Sequence, residues 1–358
     1  MARYGDTVVL ATVMLGKERP ELGYFPLTVD YIEKLYAGGR IKGSRWVKRE
    51  GRPTDDAILK GRLIDRSIRP LFPKDFFREV QVTVTPLSVD NESDADILGI
   101  IAVSTALTIS EIRWNGPVAA VRLGLLEDKQ SLITNPINGE SEKSPLDLVV
   151  SATKDAILMV EAGAMQIDEE TILKALKYGF DETQTVITAI VELQNKTGKK
   201  KITYETKEVS EDLKHKIYEL AEEKIKLLME KSAQKKAGEN DFDELKADVY
   251  SKIGESGENE GDEGEAGKTI VFELIDKVAK EITRKQVLTE GIRMDGRKPE
   301  EIRPISIEVN VLPRTHGSAI FQRGETQALS IVTLGIPSLE QWLEFPEGEE
   351  RRRYIHHY

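Results

Sequence analysis

Cysteine is absent from the 358 residues, which excludes disulfides, a thiol nucleophile and any Cys-based zinc centre. Histidine is scarce. His215, His316, His356 and His357 are the whole complement, none falls in an H-E-x-x-H pattern, and the adjacent His356-His357 is only a weak metal candidate. Glycine-rich phosphate loops of the G-x-x-x-x-G-K-[ST] and G-x-G-x-x-G kinds are missing as well. The longest apolar run, Ile97–Ile109, is 13 residues with Ser and Thr inside it, too short to cross a bilayer as a helix. The N-terminal MARYGDTVVLATVMLG has an apolar stretch but no small-residue cleavage site, and reads as a strand rather than a signal peptide. Nor is there an excess of positive charge: 51 Lys and Arg stand against 62 Asp and Glu, a net charge of −11. A uniformly basic nucleic-acid binder is excluded, while a local basic patch is not. These absences predict a soluble cytoplasmic protein with no membrane partner.

Hydrophobic residues make up 39% and charged residues 32%, enough apolar material for true cores, and the length predicts two or three domains. Their organisation shows in an internal repeat. GDTVVLATVMLG at Gly5–Gly16 and GETQALSIVTLG at Gly324–Gly335 both read G-[DE]-T-x-x-L-x-x-V-x-L-G, at an offset of 319. Shared β-propensity explains Val, Leu and Thr, but not Gly, acid, Thr and closing Gly in one register. An offset of that length predicts duplication of a whole domain rather than a solenoid period. Upstream of Gly324 lies a lead-in from Gly291, whereas only four residues precede Gly5, so the chain reads as cut at both ends.

Along the chain, Thr7–Leu15, Pro26–Ile32, Val80–Val89, Pro117–Leu126, Leu146–Ala152 and Ala156–Ala162 read as strands. Thr54-Asp55-Asp56 starts a helix that runs to Ile68 and stops before Pro70. Asp94–Ile109 is apolar on nearly all sides, as in a buried helix. Asp94 and Asp96 can cap that helix or bind a metal, and capping is the favoured reading. Glu169–Lys196 reads as two amphipathic helices broken at Gly179. From Val209 the texture turns helical. Asn240–Ala266 holds ten acids and two lysines, and Gly254–Gly267 within it reads as a mobile, dispensable loop. The fold class is α+β, with an all-helical module between two sheet domains.

The chemistry-bearing segment is basic and local. Arg40–Lys74 carries eleven bases and four acids. Trp46 sits among Arg45, Lys48 and Arg49, and Arg52 follows. Cations for phosphates beside a π-face for a base suit single-stranded RNA; the plain alternative is a solvated loop with Trp46 tucked into the core. In the next helix Arg62, Arg66 and Arg69 fall at i, i+4 and i+7 on one face, with Ile58, Leu59, Leu63 and Ile64 supplying much of the other. Three guanidiniums in a stripe can grip phosphate or pair with Asp65, Asp55 or sheet acids. Spacing alone favours neither.

YFPLTVDY, YAGGRIKGS, KREGRPTDDAILKGRLIDRSIRPLFP, NGPVAAVRLG, LDLVVSATKDAILMVE, RMDGR and LPRTHGSAIFQRGETQ closely resemble the polynucleotide phosphorylases (polyribonucleotide nucleotidyltransferases), and the resemblance covers almost the whole chain. It implies a first RNase PH-like core at 1–208 lacking its first strands, an all-helical linker domain with an acidic, Gly-rich insertion at 209–289, and the beginning of a second RNase PH-like core at 290–358. Members of that family form ring-shaped trimers and degrade mRNA from its 3′ end. Inorganic phosphate attacks the terminal phosphodiester, a nucleoside diphosphate leaves, and magnesium assists; the reaction also runs in reverse as polymerisation. Partners in an RNA-degradation complex are a further implication.

The resemblance places the family's pore-constriction loop on Trp46, Val47, Lys48 and Arg49, where the usual pattern is two aromatics and two arginines in a loop one residue shorter. It places Arg52, Arg62, Arg66 and Arg69 near bound RNA or phosphate, and Arg314, His316 and Arg323 at the opening of the second catalytic core. The family's main phosphate site and magnesium ligands fall in the later part of that core. The main catalytic site and the Mg²⁺ ligands are therefore expected beyond Tyr358. Two functions stay open for these 358 residues: an N-terminal part of a phosphorolytic 3′ exoribonuclease, or a catalytically inactive RNA-binding or scaffold fragment of such a complex.

Overall fold

Alternating Val, Leu and Thr build the first sheet. In the computed structural model, which describes all residues except 20–21, 23, 42–50, 74–75, 127–130, 142, 204–209, 235–237, 239, 256–264 and 357–358, β1 (Ala2–Tyr4) and β2 (Thr7–Glu18) form an antiparallel hairpin. β2 pairs on its other edge with β4 (Arg78–Ser88), and β3 (Leu27–Tyr31) runs parallel to β4, giving the order β1-β2-β4-β3. Two helices, α1 (Asp55–Ile68) and α2 (Ala95–Ile109), pack with this sheet. A second, antiparallel sheet follows from β5 (Ala119–Leu125), β6 (Leu132–Thr134), β7 (Leu146–Ala152) and β8 (Ile157–Ala164), in the order β6-β5-β7-β8. The one-turn α3 (Asn138–Ser141) and the long α4 (Glu169–Thr197) complete the region. One core runs through both sheets: Val9, Val80, Val82 and Val84 from the first meet Ile100, Val103 and Leu107 of α2 and Val118, Ala120 and Val149 of the second. α2 is apolar on nearly all sides because the core surrounds it. Its C-terminal carbonyls are met by Lys201, which donates to the oxygens of Leu107, Thr108 and Ser110 at 2.7, 3.0 and 2.8 Å.

The chain divides into two compact units, residues 1–205 with 340–358, and residues 206–339. The hairpin β12 (Gln341–Glu344) and β13 (Glu349–Arg352) thus belongs with the first unit. The second unit holds α5 (Glu211–Ala233), α6 (Asp241–Glu255) and α7 (Glu265–Glu290), whose Ile217, Ile225, Val249, Ile253 and Ile275 form its core. It also holds a sheet of β9 (Ile305–Val309), β10 (Gly317–Arg323) and β11 (Thr326–Val332), in the order β11-β10-β9.

The predicted repeat has a structural counterpart. Gly5 and Gly324 both adopt positive φ, 58° and 62°, at the first position of a two-residue loop closed by Tyr4↔Thr7 and by Arg323↔Thr326. Glycine first and an ordinary residue second is the pattern of a type II′ hairpin turn. Even the side-chain cover matches: Arg3 Nε donates to the Gly5 carbonyl at 2.8 Å, and Gln322 Nε2 to that of Gly324 at 2.9 Å.

Two expectations from the sequence need correction. α4 is one unbroken helix through Gly179. That glycine is there for close packing, since a Cβ on it would lie 2.9 Å from Leu123 Cδ1 and 3.0 Å from Val150 Cγ2 of the sheet below. The loop read at Gly254–Gly267 is helical at both edges: Gly254 and Glu255 close α6, whose Leu245, Val249 and Ile253 are buried, and residues 265–267 open α7; the remainder, 256–264, lies outside the described residues. β1 and β6, three residues each, were too short to stand out by period. Among the described residues no helix is long and apolar enough to cross a membrane.

Candidate nucleic-acid interface

α1 is the element that carries the basic stripe. Thr54 caps it, its hydroxyl accepting from Ala57 N at 3.0 Å and donating to Glu33 Oε2 at 2.7 Å, and Asp55 and Asp56 complement the helix dipole in the first turn. Ala57, Leu63, Ile64 and Ile68 face the core, whereas Ile58 and Leu59 are exposed. The buried face is therefore narrower than the apolar spacing suggests.

The three arginines separate. Arg69 forms a bidentate pair with Asp65, Nε to Oδ1 at 2.6 Å, donates to the Leu27 carbonyl at 3.1 Å, and lies over the Phe25 ring. Arg66 pairs with Glu161 and donates to the Val160 carbonyl at 3.2 Å. Both pairs are partly solvated and worth about 0–1 kcal/mol each. Arg62 is exposed and meets no described partner, as is Arg52, which lies two residues before the helix cap. Arg45, Trp46, Lys48 and Arg49 lie outside the described residues. In the second unit Arg314 and Arg323 are exposed without described partners. His316 accepts through Nδ1 from Leu334 N at 2.8 Å. His316 and Arg323 stand at opposite ends of β10, roughly 20 Å apart by strand rise, so no single cluster forms there.

Beside α1 lies a cavity of about 560 Å³, lined among others by Lys60, Asp94, Asp96, Arg122, Asp147 and Glu347. Arg122 is gripped by three carboxylates: Nε by Asp94 Oδ2 at 2.6 Å, Nη2 by Asp96 Oδ2 at 3.0 Å and Nη1 by Asp147 Oδ1 at 2.7 Å. Asp94 holds the N-cap position of α2, yet its side chain makes no capping bond; it turns to Arg122 instead, as does Asp96. Burial, with Asp96 beside it, pushes the Asp94 carboxyl up to about 6 despite Arg122. Burial would lower the Arg122 guanidinium, but Asp96, Asp94 and Asp147 hold it above the usual arginine value. Lys60 is gripped in the same way by Glu33, Asp56 and Glu347. Burial disfavours its ammonium, yet Tyr31, Glu347 and Asp56 hold it above the usual lysine value.

The cavity's cations are thus neutralised by acids, and a phosphate entering it would meet carboxylates first. A divalent metal fits no better. The three carboxylates that converge do so on a guanidinium, and among the described residues no group of three His, Asp or Glu is arranged to hold a metal ion. Sequence reasoning missed this double network. Asp56 and Lys60 at i, i+4 were readable; Glu347, 287 residues from Lys60, was not.

Comparison with known proteins bears on the same regions. The 3′ exoribonuclease family, domain 1, matches residues 1–113 and again 301–355; its domain 2 matches 116–182. The RNA-binding domain model of polyribonucleotide nucleotidyltransferase matches 212–298. The chain belongs to the polyribonucleotide nucleotidyltransferase family. The polyribonucleotide nucleotidyltransferase of Caldicellulosiruptor bescii is 43% identical over 361 residues, covering all of this chain and 50% of the relative. That of Halothermothrix orenii is 45% identical over 363 residues and 51% of its length; that of Bacillus cytotoxicus, 43% over 358 residues and 49%. The chain spans about half the length of the curated relatives it matches. The double match to domain 1 agrees with the duplicated hairpin, and the helical module falls between its two parts.

Proposed function

We propose that this chain is part of a phosphorolytic 3′-to-5′ exoribonuclease that degrades mRNA. In that reaction an oxygen of inorganic phosphate attacks the terminal phosphorus, the bond to the preceding 3′ oxygen breaks, and a nucleoside diphosphate leaves; the reverse step polymerises. The family membership carries this reading. Within the chain, single-stranded RNA is met by the basic run 45–52 and by Arg62, with Trp46 offering a stacking face. Arg52 and Arg62 are suited to the task because no described carboxylate occupies them. Arg66 and Arg69 reach phosphate only by giving up their acids. Arg314, His316 and Arg323 belong to the second core's RNA-facing side. Magnesium serves the whole protein, with ligands outside the residues described here. The whole protein works in the cytoplasm as a homotrimer, with other RNA-degradation proteins as partners.

A second reading, an RNA-binding or scaffold piece without chemistry of its own, is favoured by the first unit's cavity, whose Lys60 and Arg122 are already neutralised by acids. Both readings are tested on one preparation. The 358-residue chain is incubated with RNA, phosphate and Mg²⁺, and nucleoside diphosphate release is measured beside RNA binding by fluorescence anisotropy. The expected outcome is binding without release. Release at a rate comparable to a full-length relative would place the chemistry within these residues; loss of binding in neither Arg52→Ala nor Arg62→Ala would remove those cations from the interface.

A further inference from the structure

Lys60 joins three segments of chain. Its ammonium lies 2.8 Å from Asp56 Oδ2, 3.1 Å from Glu33 Oε1 and 3.1 Å from Glu347 Oε1, with its side chain only 16% exposed, and it stands 5.5 Å from the centre of the Tyr31 ring. Asp56 is one turn away on α1 and would meet Lys60 in an isolated helix. The other two acids arrive by tertiary structure. Glu33 follows β3, and its second oxygen accepts from Thr54, the cap of α1. Glu347 is at the tip of the β12–β13 hairpin. That tip is seated, with Phe345 buried, Phe345 and Gly348 closing the turn through N–H···O bonds of 2.7 and 3.2 Å, and Glu349 lying 3.7 Å from Arg40 as a second, looser pair. Among the described residues Lys60 is the cation that Glu33 and Glu347 share, so its removal leaves half-buried carboxylates facing one another.

We propose that Lys60 is a positioning residue: an ionic latch that couples docking of the β12–β13 hairpin to the placement of the N-terminal half of α1, and through it of Arg52 and Arg62. This rests on the reading that those two cations meet RNA. Arg52 enters the helix cap that Glu33 holds, and Arg62 follows Lys60 by two residues. A linkage of this kind is reciprocal. RNA on the cations favours the docked hairpin, and an undocked hairpin weakens RNA binding.

Hydrogen exchange measured by mass spectrometry on the 358-residue chain, with and without a short single-stranded RNA, tests this in the wild type, Lys60→Met, Lys60→Arg, Glu347→Gln and the double variant Arg52→Ala/Arg62→Ala. Amides of 341–352 are expected to exchange about tenfold faster or more in Lys60→Met and Glu347→Gln, while those of β4 and β5 keep their rates and Lys60→Arg stays near the wild type. RNA is expected to slow hairpin exchange in the wild type and not in Lys60→Met. Unchanged hairpin exchange in both latch variants overturns the proposal, and so does equal acceleration in β4 and β5, which would report global loosening. RNA protection of the hairpin that persists in Lys60→Met overturns the coupling. If the double variant binds RNA as the wild type does, the RNA reading fails and the coupling with it, while the hairpin rates still decide the latch itself.

Discussion

The two copies of the Gly-acid-Thr hairpin share a turn and differ in what surrounds it. In the first copy Thr7 is fully buried. Its hydroxyl donates to Asp90 Oδ1 at 2.9 Å, and the same carboxylate accepts from the backbone N–H groups of Asp6, Glu92 and Ser93. Val9 of β2 is completely covered, and Ala11, Val13 and Leu15 pack at the edge of the core that includes α2. In the second copy every residue of β11 is exposed, including Leu329, Ile331 and Val332, as are Ile305, Ile307 and Val309 of β9. A turn motif therefore forms wherever its residues stand, because positive φ at glycine and a two-residue loop are local matters. Burial is not local: it needs a second layer, and among the described residues only the first copy has one.

The sharpest break in the likeness should come at the threonine. Thr7→Ala leaves Asp90 and its buried surroundings short of a partner and should cost about 1–3 kcal/mol, with Asp90→Ala costing still more, whereas Thr326→Ala should stay within about 0.5 kcal/mol. Urea midpoints of the four proteins check this, and equal losses at Thr7 and Thr326 would mean the second copy is covered too. The glycines probe the shared part. Gly5→Ala and Gly324→Ala should both destabilise, by about 1–2 kcal/mol for the backbone alone, and Gly5→Ala more, since its Cβ would lie 2.6 Å from Asp90 Oδ2.

The smallest effect is in pH. Burial opposes ionisation of Asp90, but the N–H groups of Glu92, Ser93 and Asp6 and the Thr7 hydroxyl outweigh it and hold the carboxyl well below the usual aspartate range. A depressed acid stabilises above its unfolded value, about 3.9, and that contribution is lost as pH falls toward the folded one. Asp94, raised to about 6 by burial and by Asp96, has the opposite sign: its contribution is full below about 3.9 and is lost as pH rises through about 6. Melting temperatures between pH 3 and 7 should therefore lose their lower limb in Asp90→Asn and flatten between about pH 4 and 6 in Asp94→Asn. The second copy's hairpin variants should leave both limbs unchanged.

Much of the architecture was readable residue by residue. Thr54 with Asp55 and Asp56 marked the start of α1, Val80–Val89 alternated as β4 does, and the repeat at Gly5 and Gly324 marked the two segments as alike, though not that each opens on a hairpin turn. Gly179 misled because a glycine in a helical run signals a break only when nothing packs against it, and here Leu123 and Val150 do. The glycine-rich run misled only at its edges: Glu255 still closes α6 and Glu265 opens α7, because Leu245, Val249 and Ile253 recur at helical spacing amid the acids and join the core of the helical module.

The sequence by itself determined the elements, the duplicated turn and the family, all of which depend on neighbours within a few positions or on long runs of residues in order. Only the tertiary structure decided which cations are free. Arg62 and Arg66 are one turn apart and chemically identical, yet one meets Glu161 and the other meets no described partner. Lys60 and Arg122, basic residues that line the same cavity, are neutralised by acids from β3's exit, α2, β7 and the distant hairpin. Helical and strand periods say which face a side chain occupies. They do not say which far segment of chain will place a carboxylate within 3 Å of it, and in a low-dielectric interior that distance decides whether a charge is available to a ligand or already spoken for.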